Sequence, residues 1–98
     1  MASAKAVKLS DREVTRIARA LAEPRRLQIL KQIGGCGDGA LACRFILEKQ
    51  DIAPATLSHH LKELESCGLI EISRRGKFID VTFCRPTWEA YLAELKNI

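Results

Sequence analysis

Ninety-eight residues, 47% hydrophobic and 29% charged, suit one small globular domain and exclude a disordered or fibrous chain. No apolar run approaches the roughly 18 residues of a membrane span and no signal peptide is visible, so the expected location is the cytoplasm, with no membrane partner. The formal net charge of +4 and a pI of about 9.1 favour an acidic partner.

Residues 1–9 read as a flexible leader, followed by a single domain over residues 10–98. Ser10-Asp11-Arg12-Glu13 has the form of a capping box, with Ser10 and Glu13 at the reciprocal positions, and opens a helix whose apolar stripe is Val14, Ile17, Ala18 and Leu21. Pro24 ends that helix and opens a second, in which Leu27, Leu30 and Ile33 face inward until Gly34-Gly35 breaks the chain. Leu41 to Lys49 reads as a third, short helix, and Gln50 to Ala53 as a turn.

The stretch from Ala53 to Gly68 reads as a helix with two unlike faces. At about 100° per residue, Leu57, Leu61 and Leu64 form one narrow stripe, while Ala55, His59 and Lys62 point away, flanked by Thr56, Ser58 and Glu63. Short hydroxyl and imidazole groups without bulky apolar neighbours suit insertion into a major groove. Gly68 supplies the stop. Two β-rich runs follow, Leu69 to Ser73 and Phe78 to Cys84, joined by Arg74-Arg75-Gly76-Lys77. Ile79, Val81 and Phe83 alternate with Asp80 and Thr82, the period of a half-buried strand. A hairpin with a basic tip directly after a recognition helix is the winged helix-turn-helix order, and Arg74, Arg75 and Lys77 are placed to meet phosphates. Pro86 starts a last helix with the stripe Trp88, Tyr91, Leu92 and Leu95. The fold class is mainly α with a small antiparallel β-hairpin (α+β), in the order ααααββα.

Three segments carry a resemblance. Leu21-Ala22-Glu23-Pro24-Arg25-Arg26-Leu27-Gln28-Ile29-Leu30, then Thr56-Leu57-Ser58-His59-His60-Leu61-Lys62-Glu63-Leu64, then Gly68-Leu69-Ile70 with Arg74-Arg75-Gly76-Lys77 are similar to the signatures of the ArsR (arsenical-resistance, SmtB-like) family of bacterial repressors. The resemblance spans roughly residues 14 to 95. It implies a homodimer that binds double-stranded DNA and leaves its operator when an inducer, often a metal ion, binds. The first and last helices carry more apolar surface than so small a domain covers, and the resemblance places Val14, Ile17, Leu21, Trp88, Tyr91 and Leu95 in a dimer interface; the alternative is that they complete the monomer core.

Adjacent helical residues cannot share one role, so the two histidines divide. His60 flanks the leucine stripe and reads as a structural residue bonded to backbone or a neighbouring side chain; His59 lies at the centre of the outward face and reads as a DNA contact. Arg26 matches the family arginine, and both an intramolecular ion pair and a phosphate contact stand open.

Four cysteines in a cytosolic chain are expected to be reduced. Their spacing contains no C-x-x-C and matches no zinc-finger pattern. Soft-metal-sensing relatives often carry a C-x-C near the third helix, where Leu41-Ala42-Cys43-Arg44-Phe45 keeps one cysteine; a site of Asp, His and Glu on the last helix would need a histidine that Pro86 to Ile98 lacks. Cys67 and Cys84 read as packing residues. Cys36, in the glycine-rich loop Gly34 to Gly39, is expected to be accessible, and a thiol or soft-metal response through Cys36 and Cys43 remains an alternative, with no cofactor otherwise expected. No catalytic set or phosphate-binding loop is present, so the chain is not read as an enzyme. A winged helix that binds protein instead of DNA is the other alternative, and the cationic wing tip weighs against it.

Overall fold

The computed structural model describes residues 7–37 and 39–98, which form five helices and a three-stranded antiparallel sheet. Most of the leader, residues 1–6, lies outside the described residues. Leu9 already packs against the core. Helix α1 (Asp11–Leu21) starts at the expected capping box: Ser10 N–H donates to Glu13 Oε1 at 2.7 Å and Glu13 N–H to Ser10 Oγ at 3.1 Å. In α2 (Pro24–Gly34), Pro24 occupies the first turn, where its missing N–H costs nothing, and the Glu23 carboxylate accepts from the backbone N–H groups of Arg25 and Arg26.

The expected third helix begins two residues late. Leu41 and Ala42 form a short strand, β1 (Leu41–Ala42), paired with Val81 and Asp80, and α3 (Cys43–Gln50) follows. Asp51 turns the chain in the left-handed region (φ 53°) before α4 (Pro54–Ser66). That helix ends as Gly68 requires: with φ +85°, Gly68 N–H bonds to Glu65 C=O and Leu69 N–H to Leu64 C=O, the two bonds of a Schellman stop.

The hairpin is longer than the sequence suggests. β2 (Ile70–Arg75) and β3 (Phe78–Phe83) pair up to Arg75 opposite Phe78, so Arg74 and Arg75 lie in the strand and only Gly76 and Lys77 make the turn. Gly76 takes φ +60° at the first turn position, the demand of a type II′ hairpin. Strand β3 is central, in the order β1-β3-β2. Helix α5 (Arg85–Lys96) then packs back on α1. The order is that of a winged helix-turn-helix.

One core joins all five helices and the hairpin: Ile17 from α1, Ile29 and Ile33 from α2, Ile46 from α3, Leu57, Leu61 and Leu64 from α4, Val81 from β3, and Tyr91 from α5. Two residues expected at a dimer interface belong here instead. Ile17 is fully buried and Tyr91 is 7% exposed, because α1 and α5 turn these side chains onto the body of their own chain. Ala18, expected on the inward stripe of α1, is exposed.

Arg26 is not a surface phosphate contact, and among the described residues it has no ion-pair partner. Its side chain is buried, Nη1–H donating to Ala20 C=O at 3.1 Å and Nε–H to His60 Nδ1 at 3.3 Å. His60 is thus the structural histidine, and the bond requires its neutral form. Burial, and then the neighbouring Arg26 guanidinium, hold its pKa below the ordinary value. The unfolded chain therefore takes up a proton near pH 6.5 that the folded chain resists. This contribution to stability is present above that pH and is lost as pH falls towards the lowered folded value. Urea midpoints should drop between pH 7.5 and 5.5, and His60→Asn, which keeps an acceptor near Nδ1 but does not titrate, should flatten the drop; an equal drop in the variant assigns it to other groups.

Candidate nucleic-acid interface

Helix α4 is held by its leucine stripe. With Leu57, Leu61 and Leu64 buried and His60 bonded inward, the opposite side presents Ala55, Thr56, Ser58, His59 and Lys62, all exposed. Pro54 occupies the first turn and Ala53 offers no capping side chain, so the leading end of the helix carries neither an acidic residue nor a competing acceptor.

The wing stands beside this face. A groove of about 850 Å³ runs between them, with Ser58, His59 and Lys62 on one wall, Arg74 on the other, and Leu47 and Ile79 at its base. Arg75 and Lys77 flank a neighbouring hollow of about 330 Å³ near the start of α3, and there they meet Arg44, a cation that no motif in the sequence singles out. Its guanidinium carbon lies 4.9 Å over the Phe45 ring. No spacing rule marks Arg44; the signal is its position one residue into a helix whose start the sequence pattern misplaces.

Arg75 donates to Asp80 at 3.2 Å across the hairpin. With the Arg75 side chain 78% exposed, this surface pair is weak enough for a phosphate to replace it. Phe78, 58% exposed at the tip, lies on the outward side of β3 with Asp80 and Thr82, as the strand period requires.

The thiols divide by exposure. Cys36 is exposed in the loop after α2, its Sγ 3.7 Å from Gln32 C=O. Cys43 starts α3 beneath the wing, where burial first, and then the Asp80 carboxylate, push its pKa up against a partial opposing effect of Arg74. Burial also raises Cys67 and Cys84. Among the described residues no three His, Cys, Asp or Glu side chains converge as metal ligands.

A recognition helix exposed beside a basic hairpin, behind a helix-turn, defines the class of winged helix-turn-helix DNA-binding domains. Comparison with known proteins gives the family. Residues 23–71, 49 of the 98, match the family described as bacterial regulatory protein, arsR family. The fold is similar to an ArsR-like transcriptional regulator from Rhodococcus sp. RHA1 (20% identity, 88% of this chain and 78% of that one, TM-score 0.75). It is also similar to the homodimeric winged helix-turn-helix DNA-binding domain Mb0332 from Mycobacterium bovis, a possible ArsR-family regulator (28% identity, 93% and 89% covered, TM-score 0.69). A third similar structure is the transcriptional repressor BigR from Xylella fastidiosa (22%, 83% and 82%, TM-score 0.66). Among curated proteins, none matches the sequence.

The chain belongs to the arsR family of bacterial regulatory proteins, as a transcriptional regulator with a winged helix-turn-helix DNA-binding domain. Family and fold are those of regulators, not enzymes, and no helix of the described residues is long and apolar enough to cross a membrane.

The thiol environments have a measurable consequence. Under native conditions iodoacetamide should modify Cys36 first, with Cys43, Cys67 and Cys84 slower by about tenfold or more, since burial both hides them and disfavours the reactive thiolate. Site-resolved mass spectrometry that finds Cys43 modified as fast as Cys36 would contradict this.

Proposed function

We propose that the protein is a homodimeric repressor that reads an inverted-repeat operator in the cytoplasm and is released by an inducer. The observation that supports it best is the shared groove of α4 and the wing, which sets Ser58, His59, Lys62 and Arg74 around one concave surface. In this reading α4 enters the major groove, Ala55 permits close approach, Ser58 and His59 face base edges, Thr56 and Lys62 steady the backbone, and Arg74, Arg75 and Lys77 take phosphates.

The dimer reading rests on Val14, Leu21 and Leu95, which remain partly exposed on α1 and α5, with Leu92, 43% exposed, beside them; Trp88, also expected there, lies with its ring near Phe83 and Tyr91 of its own chain. The homodimeric state of Mb0332 and the repressor role of BigR lend it support by likeness.

Selection from a random duplex pool, followed by footprinting, tests the reading. The bound site should be palindromic, with half-site centres about one helical turn apart. His59→Ala should cost about 1 to 3 kcal/mol on that site and much less on random DNA. A single unpaired half-site at saturation counts against the dimer, and equal losses on both DNAs move His59 to the phosphates.

The wing contributes separately. Replacing Arg75 and Lys77 by Ala should leave stability within about 0.5 kcal/mol of the parent and base preference intact, while the slope of log affinity against log salt falls by roughly one unit for each phosphate no longer neutralised. A folded double variant with the full salt slope removes the wing from the interface.

A further inference from the structure

Away from α4 and the wing, a second concavity of about 250 Å³ opens between the end of α2, the end of β3 and the start of α5. Leu27, Leu30, Phe83 and Trp88 line it with apolar surface, and Gly34 leaves the Phe83 ring uncovered. A Cβ at Gly34 would sit 3.8 Å from that ring, in ordinary contact with it. The two remaining lining residues are Lys31 and Arg85, both exposed. The Arg85 guanidinium carbon lies 4.9 Å over the Phe83 ring.

Among the described residues no acidic side chain lines this groove and the one ion pair is Arg75–Asp80, so none of them gives Lys31 or Arg85 a carboxylate partner. An apolar slot edged by two exposed cations is complementary to an anion that has an apolar body. Size narrows the class further. A cavity of about 150 Å³ accepts benzene, so this groove has room for one ring with a short chain. The floor selects a flat body, since Phe83 and Trp88 have ring centroids 6.3 Å apart at 56°, an arrangement that a third ring extends. A nucleic-acid phosphate gains nothing from such a floor.

We propose that the groove binds a small aromatic carboxylate, its ring against Phe83 and Trp88 and its carboxylate between Lys31 and Arg85. The site shares no residue with the groove between α4 and the wing, so it stands independently of how DNA is read.

Trp88 is the chain's one tryptophan, which makes occupancy visible. The full-length protein is titrated with 3-phenylpropionate and, in parallel, with the uncharged 3-phenylpropionamide. The acid should change Trp88 emission saturably with half-saturation at roughly 0.1–1 mM, the range open to a ligand of about ten heavy atoms. The amide should bind about tenfold or more weakly. Lys31→Gln and Arg85→Gln, both surface changes, should each weaken the acid about threefold or more. Gly34→Leu, at a helical position with ordinary backbone angles, should fill the slot and abolish the response. If that variant fails to fold, the two charge variants decide.

Equal affinity for acid and amide, an unchanged response in the Lys31→Gln/Arg85→Gln double variant, or no saturable response overturns the proposal. Emission that follows protein concentration and ignores the acid also overturns it, and gives the groove to a second copy of the chain.

Discussion

Arg26 carries a guanidinium into the interior with 9% of its surface exposed, a position that is costly unless its N–H groups find acceptors. It finds them on two other helices: Ala20 C=O closes the end of α1, and His60 Nδ1 holds α4. No buried side-chain nitrogen or oxygen among the described residues lacks a partner. The preceding residue performs the matching task for the other half of the helix-turn-helix. Arg25 Nη1 donates to Gln50 C=O at 2.6 Å, Gln50 Nε2 to Gln32 Oε1 at 3.0 Å, and Gln32 Nε2 to Phe45 C=O at 3.1 Å, which fixes α3 at both ends against α2. Both arginines leave the first turn of α2, whose backbone is pinned by Pro24 and the Glu23 cap. One short segment thus orients both α3 and α4.

That anchoring explains why neighbouring histidines can differ completely. His60 is consumed by Arg26, so rotating α4 to expose it would strand a buried guanidinium; His59, about 100° further round, is then fixed on the outside. The outward face inherits its precision from an inward bond. Such precision matters here because the segment from residue 54 to 85 is nearly balanced in charge, with five Lys/Arg against four Asp/Glu. Long-range attraction from this segment itself is small, and in the proposed reading a few positioned cations supply its electrostatic part of binding. In the same reading, holding Arg75 against Asp80 across the hairpin reduces the rotamers it would give up on meeting a phosphate.

What the sequence disclosed follows from how local each signal is. The Ser10–Glu13 box, the leucine stripe of α4 and the Gly68 stop are decided within a few residues, and each is found where its pattern predicts. Strand β1 was invisible because Leu41 and Ala42 have no strand pattern of their own; the open edge of β3, some forty residues later, makes them a strand. The same limit produced the errors on α1 and α5. Helical period shows that Ile17 and Tyr91 share an apolar side with Val14 and Leu95, but an apolar stripe broader than its contact has a buried centre and an exposed margin, and only packing says which is which. Arg26 shows the limit from the polar side: nothing in its neighbours announces that its partners lie six and thirty-four residues away. The residues of α4 proposed to face DNA were legible as exposed, whereas their grouping with Arg74 and the addition of Arg44 required the folded hairpin.

Strand β3 gives the two concavities a common wall. Its inward residues are Ile79 at the base of the groove beside α4, Val81 fully buried in the core, and Phe83 in the apolar slot beside α5, so three alternate positions of one strand run from the proposed DNA surface to the proposed ligand surface. Packing at native density makes such a wall stiff, and displacement of Phe83 has no void at Val81 to absorb it. Stiffness alone does not make a switch. A ligand shifts DNA affinity only by the difference in its own affinity for the two forms, and the effect is reciprocal, so DNA must weaken the ligand by the same factor. The Phe83 end also touches Trp88 on α5, on the side where a second copy is proposed to pack. Any coupling therefore has two routes, along β3 to the wing of the same chain or through α5 to the spacing of two recognition helices, and these differ in kind. The first would change how one half-site is gripped, whereas the second would change which half-site spacing fits while leaving each grip intact.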